Sequence, residues 1–153
     1  ITPDNQRSAT LGRNLTWFTM VEGDYIGTLG IDLKAGRKLE ERDRAGAPLV
    51  AVINEAFAQR YWPGENPLGR RFKWGSPTSQ APMMEVVGVT RNTTQQNREG
   101  APEPAIYVPI DQAAPEAVDI FGRNMRVVVQ ASSDPAALVP AIRTAVSAAD
   151  PDV

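Results

Sequence analysis

The sequence contains neither cysteine nor histidine. Their absence excludes zinc sites built from Cys and His, cysteine nucleophiles, haem ligation by histidine and any catalytic triad that uses imidazole as its base. Lysine is also scarce, with 3 residues against 13 arginines. Because arginine binds a carboxylate through two parallel hydrogen bonds, we expect many of these arginines to form structural ion pairs.

A strongly basic face and a long apolar run are also missing. The formal net charge is -2 at pH 7, and arginines alternate with acidic residues along the chain. A protein that binds a nucleic-acid duplex needs a basic face to displace counterions, so no nucleic-acid partner is expected. No apolar run approaches the roughly 18–20 residues that cross a bilayer. The 153 residues, 42% of them hydrophobic, suffice for one compact domain or two small lobes.

The pattern of apolar residues predicts strands and helices in alternation. Asn54 is the expected N-cap of a helix at residues 55–62. Asp134 is the expected N-cap of a helix at residues 134–149, and Pro140 should disturb the first turns of that helix. A short helix is expected between Asp24 and Gly30. The helix at residues 134–149 carries an apolar stripe of Leu138, Ile142 and Val146. Strands are expected at residues 15–21, 49–53, 72–74, 85–89, 106–110 and 126–131. This order predicts an α+β fold.

Residues 64–71 superficially resemble a phosphate-binding loop. They lack its lysine, and Arg71 stands where a serine or threonine would bind magnesium. The segment also follows a predicted helix, whereas a phosphate loop follows a strand. We therefore interpret it as a helix-to-strand turn with glycines at positive φ, and nucleotide binding is not expected.

Three neighbouring carboxylates, on Glu40, Glu41 and Asp43, could bind a hard cation such as calcium. Basic residues interleave with them and would repel the ion: Arg37, Lys38, Arg42 and Arg44. We interpret the segment as a solvated, charged connector. The sequence thus predicts no metal ligand.

A pair of carboxylates would allow hydrolysis without histidine. Glu85 alone lies in an apolar run, where burial would raise its pKa, but it is predicted to begin a strand with its carboxylate in water. A cluster of aromatic residues could line a ligand groove, but its spacing is more typical of a core: Phe57, Tyr61, Trp62, Phe72 and Trp74. The residues alone therefore predict no catalytic and no cofactor-binding site.

Five segments, in this order, resemble the MacB/FtsX-like permeases of ABC transporters. Residues 21–31, followed by 35–39, are similar to the pattern in which a helix ends in LGI and a Gly-Arg pair follows. Residues 52–72 resemble the block viNealArryfpgedplGrri. The segments 85–89 and 106–110, and the final strand–helix unit that ends in residues 149–151, recur in the same order. The resemblance covers the chain from about Thr16 onward.

The resemblance implies a periplasmic core domain that lies between two transmembrane helices of the permease. It implies two lobes: a porter-like α/β lobe from residues 1–45 and 123–153, and an inserted β-rich lobe with one helix from residues 46–122. The strands at 15–21 and 126–131 should share the first lobe, with the helix at 134–149 packed on their sheet. The chain begins at Ile1, which fits an excised domain. Its Gly and Arg motif positions are interpreted as turns and ion pairs.

The function implied is to relay ATP-driven motion to a substrate or partner protein in efflux or export. The partners implied are the membrane-embedded remainder of the permease, an ABC ATPase on a separate chain or domain, and a periplasmic adaptor; the whole protein would lie in the inner membrane. No enzyme activity, cofactor or metal is implied. Two alternatives stay open. The first is a stand-alone extracytoplasmic ligand-binding module, which would have a closed apolar pocket with converging polar groups. The second is a hydrolase, which would have two inward carboxylates with perturbed pKa values.

Overall fold

A computed structural model describes residues 1–4, 16–93, 102–113, 118, 126–132 and 134–149. They contain seven strands: β1 (Thr2–Pro3), β2 (Trp17–Val21), β3 (Leu33–Gly36), β4 (Val50–Asn54), β5 (Arg71–Lys73), β6 (Met84–Thr90) and β7 (Ala105–Pro109). They also contain three α-helices: α1 (Tyr25–Thr28), α2 (Glu55–Tyr61) and α3 (Val139–Ala149). Short 3-10 helices lie at Ile110–Gln112 and Pro135–Leu138. Within these ranges no helix is long and apolar enough to span a membrane.

The strands form one mixed sheet with the order β1-β5-β6-β4-β7-β2, and β3 pairs with β6 beside this path. β4 runs parallel to β6 and antiparallel to β7, while β2 runs parallel to β7. Every residue of the two central strands β4 and β7 is buried, because both faces of the sheet are covered there. A mixed sheet with a few helices confirms the predicted α+β class.

The aromatic cluster lies in the core, as its spacing predicts. Helix α2 covers one face of the sheet with Phe57 and Tyr61, and its ring packing extends to Phe72 of β5, whose centroid lies 5.2 Å from that of Phe57. Trp62 is 1% exposed. Trp74 is only partly buried and meets Phe18 edge-on, with 4.9 Å between centroids. These rings therefore stabilise the fold and leave no groove for a ligand between them.

The other face of the sheet carries a smaller core. Val21, Ile26, Val52, Ala105 and Tyr107 are its buried members. The four-residue helix α1 and the segment around Leu39 contribute the covering side chains. Helix α1 begins at the predicted cap Asp24, whose carboxylate accepts a hydrogen bond from the Gly27 N–H, and the chain turns at Gly30 with φ 65°.

The C-terminal region differs from the prediction. Residues 126–131 form no strand, and residues 126–130 are exposed. Helix α3 has no buried residue, so the expected packing of its Ile142 face on a sheet is wrong for this structure. The physical reason is that a β-branched run acquires strand structure only from a neighbouring strand, and residues 126–131 have none. Pro140 lacks the N–H that would bond to Ala136, and the first turn is accordingly a 3-10 helix.

The predicted boundary between lobes at residue 46 does not divide the sheet. β2 and β3, which the sequence assigns to the first lobe, pair with β7 and β6 of the second. Residues 123–125 and 150–153 lie outside the described part of the chain, as does Leu15 of the predicted first strand. The two-lobed arrangement therefore stays a prediction.

Candidate functional site

One end of the sheet is held together by the side chain of Asn54. This residue ends β4, caps α2 and is 1% exposed. Its Oδ1 accepts hydrogen bonds from the N–H groups of Phe57 and Ala105, both at 2.9 Å, and its Nδ2 donates to the Glu103 carbonyl oxygen at 2.8 Å. The start of α2 is thereby fixed to the start of β7. The sequence predicts the cap, but the two bonds to residues about 50 positions away leave no local signal.

Further side chains tie the neighbouring strands to the same place, which we call the Asn54 end of the sheet. Asn92, after β6, accepts a hydrogen bond from the Ala56 N–H at 2.9 Å, while its own N–H donates to the Glu55 carboxylate at 3.4 Å. Trp17 of β2 donates its indole N–H to the Glu103 carboxylate. The ends of β4 and β6 and the starts of β7 and β2 are therefore fixed relative to one another.

A shallow, open depression lies beside α2 at the Asn54 end. It is lined by Glu55, Ala56, Gln59, Arg60, Asn92, Pro102 and Pro104. A second depression, between α1 and the Lys38–Leu39 backbone, is too narrow to admit a water molecule. Neither is the closed apolar pocket that a ligand-binding module would present.

Residues 64–71 form the helix-to-strand turn that the sequence predicts. Gly64 and Gly69 have φ values of 74° and 76°. The backbone donors that a phosphate would require are used within the protein: the Gly69 N–H bonds to the Val86 carbonyl at 2.9 Å, and the Arg70 N–H to the Pro67 carbonyl at 3.1 Å. The Arg70 guanidinium forms an ion pair with Glu65. The segment thus joins α2 to β5 and offers no anion-binding cradle.

In the acidic segment at residues 40–43, Glu40, Glu41 and Arg42 are exposed as the sequence predicts, but Asp43 is buried. The Arg37 guanidinium donates to both carboxylate oxygens of Asp43, at 2.6 and 2.8 Å, and Asp43 is only 6% exposed. The Glu40 N–H also donates to this carboxylate, at 2.9 Å. The Arg37 hydrogen bonds lower the pKa of Asp43 below its ordinary value. Pairing with Arg37 allows the burial, because it satisfies the negative charge.

Two further ion pairs lie in and beside this segment. Arg42 pairs with Glu40, with 2.8 Å between Nε and Oε2, and Lys38 pairs with Asp24 at 3.1 Å. In the described ranges no three acidic side chains are grouped so that they could hold a metal ion. The arrangement therefore acts as an ion-pair clamp on the connector, and the ion pair expected for Arg37 is present.

The glycines beside Arg37 allow β3 and its continuation to lie against β6. A Cβ on Gly88 would meet the Arg37 carbonyl oxygen at 2.1 Å, and one on Gly36 would meet the Val87 carbonyl oxygen at 2.2 Å. The Arg37 N–H donates to that same Val87 oxygen at 2.9 Å. Only glycine permits so close an approach of two backbones. Gly36 therefore permits the close contact between β3 and β6, and the adjacent Arg37 forms the ion-pair clamp with Asp43.

Glu85, the carboxylate considered for hydrolysis, lies at the surface. Its side chain is 46% exposed, and one oxygen lies 4.0 Å from the Arg71 Nε. The buried carboxylate of Asp43 has a lowered pKa, whereas a general acid needs a raised one. These two groups do not form the inward pair that a glycosidase-like site requires.

Gln112 is a structural residue that the sequence does not reveal. Its Oε1 accepts the Val50 N–H at 3.0 Å, and its Nε2 donates to the Pro48 carbonyl at 3.1 Å. It thereby attaches the end of the connector to the segment that follows β7. A glutamine in a short 3-10 helix carries no local pattern that points to this contact.

Comparison with known proteins shows the family to which the sequence and fold correspond. Residues 1–145 match the family described as the MacB-like periplasmic core domain. The periplasmic region of MacB from Actinobacillus actinomycetemcomitans has the same fold, with a TM-score of 0.54 and 18% identity over 81% of this chain and 52% of that one.

Two other solved structures show weaker similarity. The extracellular domain of the noncanonic ABC-type transporter YknZ from Gram-positive bacteria is 20% identical, with a TM-score of 0.49 over 76% of this chain and 54% of that one. A domain of a putative permease from Porphyromonas gingivalis is 17% identical, with a TM-score of 0.49 over 83% of this chain and 52% of that one. The curated protein sequences give no significant match.

The chain spans about half the length of these solved structures. The family match nevertheless covers 145 of its 153 residues, and the fold of the MacB periplasmic region agrees with it. The chain therefore belongs to the family of MacB-like periplasmic core domains.

Proposed function

We propose that this chain is the extracytoplasmic domain of an ABC-transporter permease and that it relays ATP-driven motion to a substrate or partner protein in efflux or export. The observation that carries the proposal is the family match over residues 1–145. The proposed partners are the membrane-embedded remainder of the permease, an ABC ATPase on a separate chain or domain, and a periplasmic adaptor. The domain would face the periplasm while the whole protein lies in the inner membrane.

The internal bonding of the domain supports a mechanical role. A domain that relays motion must move as one body, since displacement is lost wherever packed elements slide. The side-chain bonds of Asn54, Asn92 and Trp17 together fix four strand ends. The bidentate pair of Arg37 and Asp43 fixes the connector. Close-packed interiors transmit strain because they have low compressibility.

The two alternatives find less support. A ligand-binding module needs a pocket that buries most of its ligand, and the depression beside α2 is open. A hydrolase needs an inward carboxylate with a raised pKa, whereas the Glu85 side chain is 46% exposed and the Arg37 hydrogen bonds lower the pKa of Asp43. We therefore propose no catalytic role for the chain itself.

The location can be tested by cysteine labelling in the full-length protein, because this chain contributes no cysteine of its own. Any cysteines elsewhere in that protein are replaced first. Gln59→Cys lies on the exposed face of α2 and should react with a membrane-impermeant maleimide added from the periplasmic side of intact inner membranes. Ala51→Cys is the control, since Ala51 is 0% exposed and should react only after denaturation. Labelling of Gln59→Cys only after membrane lysis would contradict the proposed location.

The relay can be tested by spin-label distances in the assembled transporter. Labels at Glu22→Cys and Gln59→Cys, both exposed, report the distance within one domain, and a single label at Gln59→Cys reports the distance between the two permease copies. We expect ATP to change the second distance and to leave the first unchanged. An unchanged distance between copies would contradict the relay, and a changed distance within the domain would contradict its rigidity.

A further inference from the structure

Two aromatic side chains from distant strands of the sheet are in direct contact. Phe18 lies in β2, and Trp74 follows Lys73, the last residue of β5. Their ring centroids are 4.9 Å apart, and the rings meet edge to face at 87°. Strands β6, β4 and β7 lie between β5 and β2 in the sheet. At about 4.8 Å per strand, a flat sheet would hold β5 and β2 about 19 Å apart, so this sheet is strongly coiled.

The contact lies on the face of the sheet that α2 covers. Phe18 and Trp74 are both partly buried and pack against the core of that face, as do Ile1 and Met20. Aromatic pairs with this edge-to-face geometry attract each other beyond the effect of the area that they bury. Among the described residues, the backbone of β2 pairs only with β7. The aromatic pair therefore attaches β2 to the side of the sheet that carries β5.

The N-terminal segment, residues 1–4, is bonded to the same place. Its strand β1 pairs with β5. The Thr2 hydroxyl donates to the carbonyl oxygen of Gly75, the neighbour of Trp74, at 2.6 Å, and Thr2 is only 5% exposed. A continuous series of contacts thus runs from Thr2 through Gly75 and Trp74 to Phe18 of β2.

We propose that Phe18 and Trp74 form a clasp, which couples the N-terminal segment to β2 by side-chain contact. A perturbation at Thr2 reaches Trp74 through β5 and Gly75, and Trp74 transmits it to β2 through Phe18. Packed side chains transmit such strain because they have little room to yield. The clasp is a property of the chain itself. It goes beyond the relay proposed above and does not depend on it.

A double-mutant cycle in the 153-residue chain measures the contact between the two rings. Phe18→Leu and Trp74→Leu are made singly and together, and urea denaturation gives the unfolding equilibrium constant of each variant. Because the second change removes an interaction that the first has already lost, the combined effect should be smaller than the product of the single effects, by about two- to tenfold. A combined effect equal to that product would show that the rings are energetically independent, and it would overturn the clasp.

Two further variants separate the clasp from a general loss of stability. Tyr25→Leu removes an aromatic ring from the smaller core, on the opposite face of the sheet. Its effect should combine with that of Trp74→Leu as a simple product, because distant sites are additive in free energy. Trp74→Phe keeps a ring at the clasp and should retain part of the interaction with Phe18. An interaction of Tyr25 with Trp74 as large as that of Phe18 would overturn the specific contact.

Hydrogen exchange tests whether the N-terminal segment reaches β2 through the clasp. Thr2→Val removes the hydroxyl that bonds to Gly75, and it should raise the exchange rates of the β2 amides by about twofold or more relative to those of β4. In the Trp74→Leu background the same change should have little effect on β2, since the clasp is already broken. The covalent connection through residues 5–15 is identical in both backgrounds, so the comparison separates it from the clasp.

Two results would overturn the coupling: a rise of equal size in both backgrounds, or no rise in either. The first would assign the effect to the covalent connection, and the second would show that β2 does not respond to the N-terminal segment. Both leave the proposed location and relay to be judged by the labelling and distance measurements.

Discussion

Asn54 makes three side-chain hydrogen bonds, which join β4, α2 and the start of β7. The change Asn54→Ala would leave the buried N–H groups of Phe57 and Ala105 and the carbonyl of Glu103 without partners. Because each unsatisfied buried group costs about 1–3 kcal/mol, we expect a loss of roughly 3–5 kcal/mol in the free energy of unfolding. Urea denaturation followed by circular dichroism measures this loss.

The matched control is Asn66→Ala. Asn66 is exposed and accepts one hydrogen bond, from the Leu68 N–H at 3.1 Å, so its loss should cost about 1 kcal/mol or less. Asn54→Asp should fall between the two, because a carboxylate still accepts from Phe57 and Ala105 but cannot donate to Glu103. Equal destabilisation by Asn54→Ala and Asn66→Ala would show that the buried bonds do not support the fold as argued.

The pair of Arg37 and Asp43 makes stability depend on pH at the acid end. The Arg37 hydrogen bonds hold the pKa of Asp43 in the folded state below its ordinary value of 3.8. The resulting stabilisation is fully present above the unfolded value and is lost as pH falls through the lower folded value. We therefore expect the free energy of unfolding to be steady from pH 7 to about 5 and to fall below about pH 4. Urea denaturation at pH 7 and at pH 3 checks this.

Asp43→Asn should weaken this acid dependence, since it removes the titrating carboxylate. Asp24→Asn is the comparison, because Asp24 also has a lowered pKa, caused first by its hydrogen bond from Lys38, but its side chain is 60% exposed. Solvent screens such a pair, so its contribution should be small. An acid dependence that Asp24→Asn reduces more than Asp43→Asn would contradict the clamp.

The sequence predicts those elements whose start and end are set by residues next to them in the chain. Helix α2 is capped by Asn54 and ends before the Pro63-Gly64 turn, and both signals lie next to the helix in the sequence. Residues 126–131 have equally strong strand propensity, yet they form no strand, since a strand needs hydrogen-bonded neighbours that no local pattern specifies. Similarly, the sequence reveals the cap at Asn54 but not its bonds to Glu103 and Ala105. These depend on the antiparallel pairing of β4 with β7.

The close contact between β3 and β6 can be tested by adding a methyl group. Gly88→Ala would place its Cβ 2.1 Å from the Arg37 carbonyl oxygen, and both atoms belong to backbones that are fixed by pairing. Because such overpacking forces a backbone shift, we expect a loss of about 3 kcal/mol in the free energy of unfolding. Thermal and urea denaturation measure it.

Gly30→Ala is the matched control for this steric effect. Gly30 has φ 65° but nothing lies within 4 Å of an added Cβ, so the cost is conformational only and should be about 1–2 kcal/mol. A cost for Gly88→Ala no larger than that for Gly30→Ala would mean that β3 can move away from β6 freely. The Gly-Arg pair would then not hold the connector to the sheet.

At the scale of the whole molecule, the described residues within 1–113 form one body around a single sheet, and the family match places that body in a periplasmic core domain. The two-lobed division implied by the resemblance depends on residues 123–153 joining residues 1–45. That division therefore stays a prediction.

The association state of the isolated chain is the last prediction. We expect a monomer at micromolar concentration, because domains within such assemblies meet through modest polar interfaces. Thr19→Lys should leave the chain monomeric, since a lysine on an edge strand blocks pairing with a second copy. Sedimentation equilibrium distinguishes these states against the monomer mass of 16.6 kDa. A tight dimer of the unmodified chain that Thr19→Lys leaves intact would show that the molecules associate through another surface.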